Sequence, residues 1–256
     1  MQMVLHTTRY GLRAFTRNRR ARVFTMFMPL LLLVVFATMF NDANTTVDGI
    51  TQSYSRYFVA SILTLSITSA TFAALVGMIV SQRELGVYKR RRATPLSPAA
   101  LITSQTLTVV LMGVATSVVL LVVAELAFGI HPPVAGVPAL IAAVVFGSAA
   151  FCGLAFAAST FIDSSDSTQP VIQATMLPLF LISGVWISSA DLPSWLNQVA
   201  AVFPIEHVAD LLHRAFASGA LAAGPVAVDL AVLAAWAVVG IVIAVRRFDW
   251  LPSGHA

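Results

Sequence analysis

The residues able to do chemistry are few and poorly placed for catalysis. Five histidines, His6, His131, His207, His213 and His255, are scattered along 256 residues. An intramembrane serine protease needs a serine beside a histidine base in a neighbouring span, and no histidine falls inside an apolar run. A metalloprotease needs His or Asp at ligand spacing, and no such cluster occurs within the apolar runs. Asp163 and Asp166 stand in a short connection, where capping the next helix is the expected role. Glu125 and Asp229 lie near the ends of apolar runs and are expected to snorkel to the interface rather than relay protons. The surroundings of Glu206 and His207 assign them no role. No G-x-x-x-x-G-K-[ST] phosphate loop is present and Lys89 is the only lysine, so ATP hydrolysis by this chain is not expected. Cys152 is the only cysteine, so no intrachain disulfide forms. No catalytic residue and no metal site is assigned.

The elements around these residues are membrane helices. Hydrophobic residues make up 58% of the chain and charged residues 10%, against about 25% charged in a soluble domain. Mean hydropathy is +0.87. A bilayer-crossing helix takes roughly 20 apolar residues, and six segments qualify: Val23–Phe40, Tyr57–Val80, Ala99–Phe128, Val134–Phe161, Val171–Ser188 and Val226–Val245. Pro29 and Pro178 fall inside the first and fifth, which predicts kinks there. No repeat and no linker divides the chain, so residues 1–256 form one transmembrane domain. The expected fold is an all-α membrane protein with six spans.

The cations orient it. Arg9, Arg13, Arg17, Arg19, Arg20 and Arg22 precede the first span; Arg83, Lys89, Arg90, Arg91 and Arg92 lie between the second and third; Arg246 and Arg247 follow the sixth. Thirteen of the fifteen cations thus share one side, leaving Arg56 and Arg214 opposite. The positive-inside rule makes that side, with both termini, cytoplasmic. The same rule accounts for the isoelectric point near 9.8 without nucleic acid as a partner. The first span reads as a retained anchor, because no small-x-small cleavage site follows it. Residues 1–22 form an amphipathic helix on the cytoplasmic headgroups, with Arg9, Arg13, Arg17 and Arg20 on one face. It is either a simple basic flank or a connecting helix that also touches a cytoplasmic partner.

The densest charge sits in "RELGVYKRRRATPLSP", residues 83–98. Pro95 and Pro98 stop a helix from running on into the third span. A short helix over 82–92 places Glu84, Tyr88 and Arg91 on one face, a docking surface for a soluble protein. A solvated cytoplasmic flank would show the same charge. A second distinctive stretch is "LISGVWISSADLPSWLNQVAAVFPIEHVADLLHRAF", residues 181–216. The first stretch, with R-E-x-G leading through a basic run into R-A-T-P, resembles the loop of ABC type-2 transporter permeases, particularly daunorubicin-resistance-like drug exporters. The second resembles the same family's Ser-Gly, Leu-Pro-x-Trp-Leu and Pro-started short helix. Glu206-His207 departs from it, since many relatives carry uncharged residues there.

The resemblance implies a permease subunit of an ATP-driven exporter in a bacterial plasma membrane, moving an amphipathic drug-like or lipid-like substrate outward, as in efflux-based antibiotic resistance. It implies a separate ABC ATPase that carries the ATP and Mg, and a second permease subunit, either identical or a paralogue. Residues 81–98 become the coupling loop, with Arg83, Glu84, Tyr88, Arg91 and Pro95 as the ATPase-coupling residues. The second and fifth spans line the route, with Thr64, Thr68, Gln173, Met176, Phe180 and Trp186 as pathway residues. The alternative for the hydroxyls is bonding to their own helix backbone or close helix packing. Gln173 is expected to face protein or a cavity, because an amide in lipid lacks partners. Residues 189–225 are expected to be extracytoplasmic and re-entrant, a helix pair dipping into the outer leaflet; an interfacial helix anchored by Trp195 is the alternative. Asp210 and Arg214, four apart, can pair. The rival functions are a non-transporting regulatory or assembly partner and, with less support, an intramembrane enzyme.

Overall fold

The computed structural model describes residues 2–17, 27–40, 44–47, 50–88, 98–187, 192–217 and 223–247. Helix α1 (Gln2–Arg17) precedes α2 (Met28–Met39), and a two-stranded hairpin follows, β1 (Asn44–Val47) with β2 (Ile50–Ser53). Next come α3 (Tyr54–Thr68), a π-helical turn (Ser69–Ala73) and α4 (Ala74–Glu84), which together make one continuous rod. Then follow α5 (Pro98–Phe128), a 3-10 turn (Val134–Gly136), α6 (Val137–Ser159), α7 (Ser165–Ile182), α8 (Ser194–Ala200), α9 (Pro204–Phe216) and α10 (Ala223–Arg247).

Four of these stretches are long and apolar enough to cross a bilayer: Tyr54–Glu84, Ala100–Phe128, Val134–Ser159 and Gly224–Ala244. Met28–Met39 is a shorter apolar helix, and Pro29 sits in its first turn, where a missing N–H costs no helical bond. The chain is therefore a helical, multi-pass membrane protein. The hairpin is the exception to an all-α fold. It is antiparallel with Val47 opposite Ile50, and the Asp48-Gly49 pair between them is the strongest short hairpin signal a sequence offers.

Burial and hydropathy run in opposite directions among the spans. The Tyr54–Glu84 rod is 67% buried with hydropathy 2.0, while Gly224–Ala244 is 17% buried with hydropathy 2.6. A helix against lipid must be apolar, whereas one surrounded by protein can carry hydroxyls that bond internally. Ser61, Thr64, Ser66, Thr68 and Thr71 are all buried. Thr64 and Thr71 donate to the carbonyls of Ala60 and Ile67, one turn back.

Small residues set the helix crossings. On α6, Ala139, Ala143, Gly147, Ala150 and Gly153 face inward, and a Cβ on Gly147 would lie 2.7 Å from Val208 Cγ2 on α9. Gly153 meets Gly240 of α10 backbone to backbone. Helix α1 lies against α5 through Thr8 and Gly11, with Thr8 Oγ1 3.4 Å from the Ser104 carbonyl oxygen and Gly11 against Thr108. Arg9, Arg13 and Arg17 stay exposed on α1; Arg20 lies outside the described residues.

Candidate functional site

Two polar assemblies stand at opposite ends of the helix bundle. At the hairpin end, α9 packs among α3, α6 and α10. Its N-terminus starts at Pro204, and nearly every residue through Phe216 is buried. Asp229 of α10 is 3% exposed and is the hub. Its Oδ1 accepts from His207 Nδ1 at 2.7 Å, and its Oδ2 accepts from Arg214. His207 Nε2 donates to the Ala201 carbonyl at 2.9 Å. Both ring nitrogens thus face acceptors, the arrangement of an imidazolium. Burial pulls the His207 pKa down, but the bonds to Asp229 and Ala201 outweigh it and leave it raised above 6.5. Asp210 lies 3.4 Å from Arg214, the expected pair of residues four apart. Asp229 does not snorkel. It is buried because His207 and the Arg214 cation, both on α9, satisfy it, whereas Glu125 is exposed and meets His131 Nδ1 at 2.8 Å.

Glu206 is 9% exposed, and its Oε2 has no hydrogen-bond partner among the described residues. Burial, and then the neighbouring Asp210 charge, pushes its carboxyl up to about 7. The folded chain holds that proton more tightly than the unfolded one, so stability falls as pH rises from 4.5 towards about 7. The raised His207 value acts in the same direction, its contribution being complete below 6.5 and lost as pH climbs through the folded value. Glu206→Gln should therefore flatten the decline of the thermal midpoint across this range, measured in detergent. An unchanged slope would exclude Glu206 as the titrating group.

Two turns on, His213 Nε2 shares a hydrogen bond with Ser61 Oγ on α3 at 3.0 Å. The Tyr57 ring stacks on the imidazole at 4.2 Å, and its hydroxyl donates to the Gly184 carbonyl beyond α7. His213 lies outside the apolar runs, as its position in the sequence implies, yet α9 carries it to a serine of the Tyr54–Glu84 rod. Ser61 is 0% and His213 3% exposed, so no substrate reaches them. The contact braces α3, α9 and the end of α7.

At the opposite end, α4 terminates in Arg83 and Glu84. Arg83 is buried, donating through Nη1 to the Ser159 carbonyl at 3.0 Å and through Nη2 to that of Ile162. Ser159 is the last residue of α6, so its carbonyl is among those the helix leaves unpaired, and the Ile162 carbonyl belongs to the turn that follows. Glu84 Oε2 accepts from the Ser165 N–H at 3.2 Å, at the start of α7. Ser164, rather than Asp163 or Asp166, caps α7, its Oγ accepting from the Ser167 N–H at 3.3 Å.

Residues 44–246 match the family model described as ABC-2 family transporter protein. The chain belongs to that family. No match to an individual curated protein accompanies it. As an ABC-2 family member the chain is a membrane component of an ABC transporter.

The ABC-2 assignment makes the placement of the expected site residues informative. Gly86 has φ +63 and ends α4 in a turn, so Glu84 and Tyr88 do not share the face of one continuous helix. Tyr88 is 1% exposed and its hydroxyl meets Gln105, which in turn bonds Gln82. Arg91 and Pro95 lie outside the described residues, as do 89–97 generally. Thr64 and Thr68 are buried inside the chain, and Thr68 Oγ1, one residue before the π-helical turn, has no hydrogen-bond partner among the described residues. Met176 and Phe180 are buried, and Trp186 packs on Phe36 of α2 at 5.5 Å between ring centroids. Gln173 is exposed on the surface of the single chain. Hydropathy and spacing gave no sign of the Asp229 hub; the residue departures at Glu206-His207 were the one available hint.

Proposed function

We propose that the chain is the permease subunit of an ATP-driven exporter, moving an amphipathic drug-like or lipid-like substrate out of the cytoplasm or the inner leaflet. The observation that carries this is the ABC-2 match over residues 44–246 in a chain without a phosphate loop. Energy then comes from a separate ABC ATPase holding ATP and Mg, and a second permease, identical or paralogous, completes the route. The reading places six spans in a bacterial plasma membrane with both termini cytoplasmic; the distribution of cations supports it. Residues 81–98 couple to the ATPase, with Arg91 and Pro95 in the loop itself and Arg83, Glu84 and Tyr88 anchoring its first end. Gln173, exposed on α7, is then suited to face the shared route rather than lipid, alongside Thr64, Thr68, Met176, Phe180 and Trp186. Helices α8 and α9 act as a re-entrant pair over the outer end. Efflux and antibiotic resistance follow if the substrate is a drug.

The test has two arms. The purified chain should show no ATPase activity and should capture an ATPase subunit when the two are co-expressed. Cysteines at positions 44 and 194, in a Cys152→Ala background, should react with an impermeant maleimide in intact cells, and one at position 90 should not. Labelling at 90 overturns the orientation. Failure to capture any ATPase overturns the transport reading in favour of a regulatory or assembly subunit.

A further inference from the structure

The charges at the end of α4 match the helix ends they touch. Arg83 lays its guanidinium on the carbonyls of Ser159 and Ile162, at the negative end of α6, and Glu84 takes the Ser165 N–H at the positive start of α7. Two consecutive side chains therefore grip both sides of the turn at residues 160–164, one as a cation and one as an anion. The grip is made across a sequence separation of 76 to 81 residues, so it is tertiary rather than local. The next residues, Leu85 and Gly86, form the turn from which the basic loop departs. Tyr88, buried against Gln105 of α5, stands between the loop and this grip, so a displacement that moves the end of α4 pulls on Arg83 and Glu84, and through them on the α6–α7 turn. A guanidinium suits this role because its planar fork engages two carbonyls at once, fixing orientation as well as distance.

We infer that Arg83 and Glu84 are positioning residues that carry nucleotide-driven movement of the basic loop into α7, the fifth span. They do this by clamping the α6–α7 turn rather than by touching the ATPase. The inference rests on the proposed permease role. It reassigns these two residues from the docking surface to the linkage behind it. A Glu84→Arg reversal would set a cation against the N-terminus of α7.

The test reads movement without needing a substrate. Leu126 on α5 and Leu181 on α7 are exposed near the hairpin end, 81% and 48%. In a Cys152→Ala background both become cysteines carrying spin labels, in the complex with the captured ATPase. Their separation is measured nucleotide-free and with ATP plus vanadate. The unmutated clamp should give a nucleotide-dependent shift. Arg83→Ala and Glu84→Ala should each keep ATPase capture and ATP hydrolysis but lose the shift, and Arg83→Lys should restore part of it through one carbonyl. A purely structural role would lower expression and capture together and would not separate them from the shift. If Arg83→Ala does not accumulate, Glu84→Ala decides alone, because the single N–H it frees is exposed to water. A full shift in Glu84→Ala overturns the inference. A complex that captures and turns over ATP with no shift in the unmutated clamp overturns the inference alone. A chain that captures no ATPase overturns the permease reading and this inference with it.

Discussion

Asp229→Asn should be the most damaging single-atom change in the chain, costing about 3–5 kcal/mol of stability. Its carboxylate is 5% exposed at the side chain and joins His207 and Arg214, themselves 8% and 15% exposed. Replacing it with an amide leaves two buried donors, at least one of them always cationic, facing a single neutral oxygen. The lower end of the range is expected, since Arg214 keeps Asp210. The loss should appear as a large fall in the thermal midpoint of the detergent-purified chain and as reduced accumulation in membranes. A double-mutant cycle with His207→Gln should show strong coupling, because the two side chains share one hydrogen bond. Glu125→Gln is the matched control: its pair with His131 is 66% and 51% exposed, and exposed pairs contribute about 0–1 kcal/mol. Equal effects at 229 and 125 would mean that the buried hub does not hold α9 to α10.

Gly240→Ala should destabilise by about 1–3 kcal/mol, the usual cost of one excess methyl in a packed interior. A Cβ there would stand 2.7 Å from both the Gly153 carbonyl oxygen and the Leu154 nitrogen, and backbone atoms cannot swing aside as a side chain can. The same substitution at Gly77, where nothing lies within 4 Å, should instead stabilise by about 0.5–1 kcal/mol, because alanine loses less entropy in a helix. Opposite signs for one chemical change, read as thermal midpoints, would locate the α6–α10 crossing at Gly153–Gly240. A neutral or stabilising result at Gly240 would place that crossing elsewhere.

Hydropathy placed four of the six expected spans on helices long and apolar enough to cross a bilayer, because lipid offers no partner for a backbone and each crossing must therefore be a long apolar run. It placed Ala99–Phe128 and Val134–Phe161 to within a few residues of α5 and α6. It was less informative where protein replaces lipid. The rod from Tyr54 to Glu84 extends past both ends of the apolar run, since Ser53 caps it by accepting from the Arg56 N–H and buried Arg83 ends it with partners of its own. The motif stretches around Arg83 and Pro204 pointed to the ABC-2 family, which the match over residues 44–246 then showed.

Apart from the i,i+4 pair Asp210–Arg214, which polar residues pair was decided by the tertiary structure. Asp229 looked like a residue able to reach the interface, and only α9, folded back against α10, makes it a buried hub. Ser61 and His213 are 152 residues apart and meet because the small residues of α6 let α9 settle beside α3. Glu84, Tyr88 and Arg91 read as one face of a short surface helix from their spacing. Gly86 breaks that helix; a carbonyl at the end of α6 and one in the turn after it draw Arg83 inward, and an N–H at the start of α7 holds Glu84 at the surface. Periodicity records which face of a helix is apolar. It carries no record of which distant helix end will supply a partner, because that depends on packing distances set by glycine and alanine at the crossings.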